Sequence, residues 1–287
     1  MLYNFQFHAE FSKTIQQKTT SIKFSSKSFF YFLVLYITIC IFARFIFDMN
    51  LIIDAGNSFL KYYVFSDNSI VKHDTISYAE LSSLETIKIS CEKAIICNVS
   101  KYNTHEILSH FPQTPFIEFK HDTKTLISNR YETPETLGLD RLAAANGAEI
   151  ISPKKNKLII DLGTAITIDF VDKDANYLGG NISVGMNSRF KALHDYTQNL
   201  PLLSPTEQTE LTGKNTIEAI QNGVILGICN EIDGYINSYS SIYQDITTFL
   251  TGGDCLFFEK RVKNSIFAQP NLVAIGLNAV LTYNETI

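Results

Sequence analysis

Two stretches of the chain repeat the same order of apolar and polar residues. Residues 51–65 read LIIDAGNSFLKYYVF, and residues 158–172, which begin 107 positions later, read LIIDLGTAITIDFVD. Each stretch is an apolar run that ends in Asp, a turn with Gly and a second apolar-rich run. This order predicts a β-hairpin with a carboxylate at its tip. The repetition predicts a duplicated domain whose two acidic tips face one cleft, an arrangement that suits a nucleotide with its metal ion.

From residue 49 onward the chain alternates between apolar runs of strand length and helical patterns. Residues 139–150 are the clearest helix because they are rich in Ala and repeat apolar residues at helical spacing. A Pro/Lys loop at 152–157 marks a boundary, so we predict a first domain at 49–156 and a second at 157–287. The pattern predicts an α/β fold in which a hairpin followed by alternating elements occurs twice. The other predicted elements are strands at 51–54, 60–65, 94–99, 116–119, 158–161, 166–171, 180–184 and 247–251, and helices at 78–90, 103–110, 187–195, 215–240 and 270–282.

Composition and short motifs exclude several classes of protein. The formal net charge of −5 argues against nucleic acid as a partner, because a phosphate-binding surface has a basic excess. The five cysteines and six histidines show no metal-ligand spacing, so a zinc site is disfavoured and free thiols are expected. The chain has no G-x-x-x-x-G-K-[ST], G-x-G-x-x-G or G-x-S-x-G, which excludes P-loop, Rossmann and α/β-hydrolase sites by pattern.

The first hairpin tip, DAGNS at 54–58, has the residue types that bind a phosphate. Gly56 permits close approach of the backbone, and successive N–H groups in a tight turn bind an anion. Lys61 can place a cation over a phosphate, and Asp54 would hold Mg²⁺. When this tip is taken alone, an ordinary hairpin turn is the favoured explanation. The second tip, DLGTA at 161–165, favours the phosphate site because a purely structural turn needs no second carboxylate.

Three further sets of residues have interpretations that the sequence alone does not test. Asp140 and Arg141 begin the Ala-rich helix: either the Asp caps the helix and the Arg pairs with it on the surface, or they are a general base beside an anion clamp. Thr167 and Asp169 on the next strand are expected to face solvent. The run TGGD at 251–254 is either a plain turn or bare backbone against which a flat purine lies.

Taken together, these motifs resemble those of the type III pantothenate kinase family, within the acetate-and-sugar-kinase/actin superfamily. The resemblance covers residues 49–284. It implies an α/β fold of duplicated actin-like (ribonuclease H-like) domains with an inter-domain nucleotide cleft. It also implies ATP-dependent phosphorylation of pantothenate to 4′-phosphopantothenate, the first step of coenzyme A biosynthesis. The motifs that carry it are DAGNSFLK (54–61), TPETLGLDR (133–141), DLGTAITIDFVD (161–172) with GGNISVG (179–185), and TGGD (251–254).

The resemblance also implies roles for individual residues. Asp140 is the implied catalytic base, Asp161 the implied ligand of a monovalent cation (K⁺ or NH₄⁺), and Asp54 a possible Mg²⁺ ligand. It further implies a cytoplasmic homodimer in which Thr216 reaches pantothenate from the dimer interface. One departure is Val184, which stands where the family usually has Pro, so we expect a looser loop there. The implied ATP-binding residues are Asp54, Ala55, Gly56, Asn57, Ser58, Phe59, Leu60, Lys61 and Thr164, and the implied pantothenate-binding residues are Tyr131, Gly138, Leu139, Asp140, Arg141 and Thr216.

Residues 1–48 do not share the composition of the rest. They contain ten of the 21 phenylalanines, and the apolar stretch 29–47 is long enough to cross a bilayer. The lysines before it would keep the N-terminus cytoplasmic and export the remainder, where no ATP is present. We therefore expect Met49 to be the natural start and residues 1–48 to be translated upstream sequence or at most an anchor. We expect the protein to contact a membrane only if residues 1–48 are translated.

Two other functions remain open from the sequence. One is a related sugar or small-molecule kinase of the same fold, and the other is a nucleotide-binding regulatory homologue. A membrane-anchored interaction protein is a third reading that depends on residues 1–48 alone.

Overall fold

The computed structural model describes residues 49–86, 91–111 and 115–285. The predicted N-terminal extension at 1–48, with its hydrophobic segment at 29–47, lies outside the described residues. In the part that is described, every helix is too short or too polar to cross a membrane.

The first sheet begins with an antiparallel hairpin and continues with parallel strands. Its order is β3-β2-β1-β4-β5, with β1 antiparallel to β2 and parallel to β4. The outer face is covered by a 3₁₀ segment at Tyr78–Thr86 and by helix α1 at Thr104–Ser109. The strands are β1 (Met49–Ala55), β2 (Leu60–Ser66), β3 (Ser69–Ile76), β4 (Lys93–Asn98) and β5 (Phe116–Glu118).

The second sheet repeats this connectivity. Its order is β11-β10-β7-β8-β9-β6, in which β7, β8 and β9 are antiparallel and β10 is parallel to β7. The repeated sequence pattern is therefore a repeated topology. The short strand β6 adds to the free edge of β9. The strands are β6 (Ser128–Asn129), β7 (Asn156–Leu162), β8 (Ala165–Val171), β9 (Asn176–Val184), β10 (Ile246–Thr251) and β11 (Phe267–Ala268).

Two helices lie between the sheets and join them in one core. Helices α2 (Leu139–Ile151) and α6 (Leu272–Glu285) pack on one another and contribute Leu142 and Leu277 to a cluster that contains residues of both sheets. Apolar side chains from both sheets are therefore buried against one helix pair. The remaining helices are α3 (Met186–Asp195), α4 (Thr216–Ile242) and α5 (Cys255–Glu259), and α4 covers the outer face of the second sheet.

Most of the predicted elements agree with the structure, with ends that differ by up to four residues, and the larger differences are the following. Of the helix predicted at 78–90, the described part is a 3₁₀ segment at Tyr78–Thr86, and 87–90 lie outside the described residues. Strand β3 was not predicted because its sequence, SIVKHDTI, is polar and its side chains are mostly exposed at the sheet edge. The elements β6, β11 and α5 were not predicted, because they are too short to show a periodic pattern of apolar residues. The predicted loop at 152–157 is shorter, because β7 starts at Asn156.

The predicted division into domains at 49–156 and 157–287 stays a prediction. Two elements cross that boundary in space. Strand β6 comes from the first half and pairs with β9, and α6 comes from the second half and packs on β1 and β4.

Helices α2 and α6 approach each other through glycines. A Cβ built on Gly276 would lie 1.8 Å from the carbonyl oxygen of Ala143 and 2.7 Å from the amide nitrogen of Gly147. We expect Gly276→Ala to lower the free energy of unfolding by roughly 2–3 kcal/mol, because the added methyl group overpacks a helix crossing. Urea denaturation measures this change.

The matched control is Gly234→Ala on α4, where a Cβ would meet nothing within 4 Å. That variant should be stabilised by about 0.5–1 kcal/mol, because Ala has the better helix propensity. Equal changes in the two variants would contradict the close helix approach.

Candidate active site

Both hairpin tips open onto one cavity of about 470 Å³. In the first tip Asp54 is paired with Lys61 across the β1–β2 hairpin, and in the second Asp161 is paired with Thr167 across β7–β8. The tips meet across the cleft, where the hydroxyls of Ser58 and Thr164 lie 3.3 Å apart. The predicted convergence of two acidic tips is therefore present in the structure. The site residues predicted from the motifs that line the cavity are Asp54, Gly56, Asn57, Ser58, Phe59, Lys61, Asp140, Asp161 and Thr164.

The cavity holds more negative than positive charge. Burial raises the pKa of Asp54 to about 6, with Lys61 opposing the shift and Asp140 adding to it. Burial also raises the pKa of Asp161 to about 7, and the neighbouring carboxylates Asp140 and Asp54 add to that shift. The pKa of Asp140 is raised chiefly by burial. A cation bound among these groups would relieve both their desolvation and their mutual repulsion.

The donor set fits a cation that a nucleotide brings with it. Within the described ranges, no three His, Cys, Asp or Glu side chains are arranged to hold a metal ion by themselves. Mg²⁺ does not need such a cage, because it is usually bound by one or two carboxylates together with phosphate oxygens and water. Asp54 and Asp161 supply carboxylates of this kind, from opposite walls of the cavity.

The raised carboxylate pKa values predict how stability depends on pH. Because the pKa of Asp161 is higher in the folded chain than its ordinary 3.8, the folded state binds the proton more tightly, and the stability so gained is lost between about pH 4 and pH 7. We expect Asp161→Asn, without nucleotide or metal, to raise the free energy of unfolding at pH 8 by roughly 1–2 kcal/mol and to change it little at pH 4. Thermal or urea unfolding at the two pH values measures the difference.

An exposed aspartate provides the control for this pH effect. Asp174→Asn, in the turn after β8, should leave stability unchanged at both pH values. An Asp161→Asn variant that is less stable than the wild-type chain at pH 8 would show that the ionised Asp161 carboxylate does not destabilise the folded state.

Asp140 lies in the first turn of α2, but it does not cap the helix. The N-cap residue is Gly138, and no side chain caps this end. The Oδ1 atom of Asp140 accepts a hydrogen bond of 2.9 Å from the N–H of Arg141. The capping and surface-pair alternative for Asp140 and Arg141 is therefore wrong.

Arg141 is directed away from solvent and is paired with Asp169. Its Nε and Nη2 atoms donate to Oδ1 of Asp169 over 3.0 and 2.6 Å, and the hydroxyl of Tyr177 donates to the same oxygen over 2.5 Å. Arg141 is 6% exposed and Asp169 is 1% exposed. The expectation that Asp169 faces solvent is corrected here. Helices cover both faces of the second sheet, so alternation along β8 does not indicate a solvent-facing side.

The Gly-Gly turn after β10 passes directly beside Asp161. Gly252 has a φ of +89°, and a Cβ there would lie 2.3 Å from Oδ1 of Asp161. Only glycine fits this position, both for its backbone conformation and for space. Gly253 and Asp254 also line the cavity, which keeps bare backbone open on this wall.

The other predicted site residues lie elsewhere. Ala55 and Leu60 are buried in the core of the first sheet. Tyr131 packs near Gly179 and Tyr177. Thr216 is exposed at the first turn of α4, on a separate apolar groove that also contains Val184. The motif residues Gly138, Leu139 and Arg141 adjoin Asp140 in sequence but do not line the cavity.

Residues of α3 line the cavity although no motif predicted them. Asn187, Ser188 and Lys191 project from its first two turns, and the Ser188 hydroxyl donates to the carbonyl of Thr164 over 2.9 Å. The signal available in the sequence was the strand end GGNISVG followed directly by a helix, since helix N-termini bind anions.

The duplicated sheet topology and the acidic cleft together define a protein of the actin-like α/β class. Solved structures agree with this fold. A conserved protein from Campylobacter jejuni, described as a Baf family transcriptional activator, aligns with a TM-score of 0.57 at 24% identity over 83% of this chain and 100% of its own. A protein from Sinorhizobium meliloti described as a 2-dehydro-3-deoxygalactonokinase aligns with a TM-score of 0.52 at 12% identity over the same shares of the two chains. The predicted fold class is confirmed.

Sequence relatives identify the family within this class. The sequence model of the family described as type III pantothenate kinase matches residues 50–238. Proteins named type III pantothenate kinase from Bacteroides fragilis and Phocaeicola vulgatus are 43% and 40% identical over 83% of this chain and over 99% and 100% of their own lengths. The chain belongs to the type III pantothenate kinase family, so the resemblance drawn from the four motifs is confirmed.

Proposed function

We propose that this protein transfers the γ-phosphoryl group of ATP to the primary hydroxyl of pantothenate, giving 4′-phosphopantothenate, the first step of coenzyme A biosynthesis. One observation carries the proposal. In a member of this family, Asp54, Asp140 and Asp161 come from three separate elements and line one cavity with Lys61. Positioning and neutralisation of charge are the main requirements of phosphoryl transfer, and this set of groups supplies both.

The two hairpin tips would hold the triphosphate. Asn57, Ser58 and Thr164 offer hydrogen-bond donors, and Lys61 offers a cation for the transferred group. When bound, Mg²⁺ at Asp54 and a monovalent cation at Asp161 would neutralise charge that develops on the phosphates. The bare backbone of Gly252 and Gly253 leaves room for the flat base of the nucleotide.

Asp140 would act as general base. It would accept the proton of the acceptor hydroxyl while the new O–P bond forms and the bond to the leaving ADP breaks. Its position on the first turn of a buried helix fixes the carboxylate against the floor of the cavity. Its raised pKa brings it closer to the working pH, which favours proton transfer.

The acceptor pocket would adjoin Asp140 on the side of Tyr131, Gly138, Leu139 and Arg141. We infer that Thr216 completes it from a second copy of the chain, in a cytoplasmic homodimer. Two exposed apolar side chains near Thr216 suit such an interface: Val184, which lines the same groove, and Ile217, which is next in sequence.

An assay of ADP release tests the function. Chain purified in full length, and separately from Met49, should release ADP from ATP and Mg²⁺ only when pantothenate is added, and more slowly when K⁺ and NH₄⁺ are both left out. Equal release with sugar alcohols in place of pantothenate would favour the related-kinase alternative. Binding of ATP with no acceptor-dependent release would favour the regulatory alternative.

A further inference from the structure

A tyrosine that belongs to none of the motifs forms a hydrogen bond with the backbone of the first hairpin tip. The hydroxyl of Tyr78 donates a hydrogen bond of 2.6 Å to the carbonyl oxygen of Gly56. In the ranges that the structure covers, no other side chain hydrogen-bonds the backbone of residues 56–59. Tyr78 is the first residue of the 3₁₀ segment after β3, and it does not line the cavity.

This bond orients a peptide unit that faces the cavity. The carbonyl of Gly56 and the N–H of Asn57 belong to one planar trans peptide, so they point in opposite directions. Tyr78, which does not line the cavity, binds the carbonyl of Gly56. The N–H of Asn57 therefore points the opposite way, toward the cavity that Asn57 lines. In the described chain the N–H groups of Asn57 and Ser58 donate to no carbonyl. Two adjacent unpaired N–H groups of this kind form an anion-binding concavity.

Tyr78 is itself held in place by a second tyrosine. Its ring stacks on that of Tyr102, with ring centroids 4.0 Å apart and planes 17° from parallel. The side chain of Asn98 fixes the loop that carries Tyr102, donating to the Tyr102 carbonyl over 2.9 Å and accepting from the Ser100 hydroxyl over 2.7 Å. The Tyr78 hydroxyl therefore occupies a defined position. The hydroxyl of Tyr102, in contrast, has no hydrogen-bond partner among the described residues.

We propose that Tyr78 is a positioning residue for nucleotide binding, whose hydroxyl holds the Gly56–Asn57 peptide so that its N–H faces the phosphates of ATP. The inference rests on the ATP site of the proposed function and adds a residue outside the hairpin to it. This role concerns binding of the triphosphate and does not depend on which molecule accepts the phosphoryl group.

Tyr78→Phe tests this role, because it removes the hydroxyl and keeps the ring stack. Titration calorimetry with the full chain, Mg²⁺ and ATP, without pantothenate, should show ATP affinity lowered about tenfold. This is the loss expected when the Asn57 N–H is no longer held toward the charged phosphates and its hydrogen bond to them is lost. Affinity for adenosine, which has no phosphate, should stay within about twofold of wild type. In turnover assays the KM for ATP should rise while the KM for pantothenate does not.

Tyr102→Phe is the matched control, since it removes a hydroxyl that bonds nothing in the described chain. It should bind ATP and adenosine as the wild-type chain does. Unchanged ATP affinity in Tyr78→Phe would overturn the proposal, and so would an equal loss of ATP and adenosine affinity, which marks a general structural role. A wild-type chain that binds ATP but does not phosphorylate pantothenate would count against the proposed function alone.

Discussion

Replacing Asp140 with Asn should lower the turnover number by about 10²- to 10⁴-fold, the range that a general base contributes. Asn is nearly the same size and keeps an oxygen that can accept the 2.9 Å bond from the Arg141 N–H, so the helix start should be preserved. The amide cannot take up a proton from the acceptor hydroxyl. Initial-rate kinetics with saturating ATP and pantothenate measure the loss.

Nucleotide binding should survive this substitution. Asp140 carries negative charge in a cavity that already contains Asp54 and Asp161, so its neutralisation should leave ATP affinity equal or improved. Asp174→Asn on the exposed turn after β8 is the control and should turn over normally. Near-normal turnover by Asp140→Asn would remove Asp140 from the role of base, and loss of ATP binding would place it among the nucleotide ligands instead.

The largest expected effect on stability follows from removing Asp169. Asp169→Ala leaves the guanidinium of Arg141 buried, at 6% exposure, with no carboxylate partner. Breaking one half of a buried ion pair costs roughly 3–5 kcal/mol. That is a large part of the 5–15 kcal/mol typical of a whole domain. Urea denaturation should show a much lower midpoint, or a chain that does not fold at 37 °C.

Two comparison variants separate the ion pair from general disruption of β8. The double variant Arg141→Met with Asp169→Leu removes both charges and should recover most of the lost stability, because uncharged side chains of similar size need no partner. Asp195→Ala breaks the exposed pair between Lys191 and Asp195 and should not change stability measurably. If Asp169→Ala were as mild as Asp195→Ala, the pairing of Arg141 with Asp169 would not be a stabilising interaction.

Most strands and helices could be predicted because their signals are local. The runs LIID at 51–54 and 158–161 are apolar segments that end at a polar turn, and each forms the central strand of a sheet. Strand β3 could not be predicted, because an edge strand with exposed side chains shows neither alternation nor an apolar run. The segment at 78–86 has helical composition and is 3₁₀ in the structure, since its conformation depends on packing over the first sheet.

The candidate site divides in the same way. The tips at Asp54 and Asp161 were predicted from one repeated pattern, because a strand that ends in Asp-x-Gly presents its carboxylate at a turn wherever that turn lies. The prediction that Asp169 faces solvent was wrong, because strand alternation identifies two faces but does not show that helices cover both of them. Neither Tyr78 nor the side chains of α3 belong to a motif, and they reach the site only through folding.

The sequence by itself determined the duplication, the two acidic hairpin tips and the third carboxylate at the start of α2, because each depends on residues that are neighbours along the chain. The sequence predicted that the two tips face one cleft, and the tertiary structure shows the cavity that they share. Only the tertiary structure decided that Arg141 is neutralised by Asp169. It also placed the hydroxyl of Tyr78 on the carbonyl of Gly56. These contacts join residues that lie 22 to 106 positions apart in the chain, as in the pairs Tyr78–Gly56 and Ser58–Thr164. The packing of both sheets against α2 and α6 brings them together, and no local pattern records that packing.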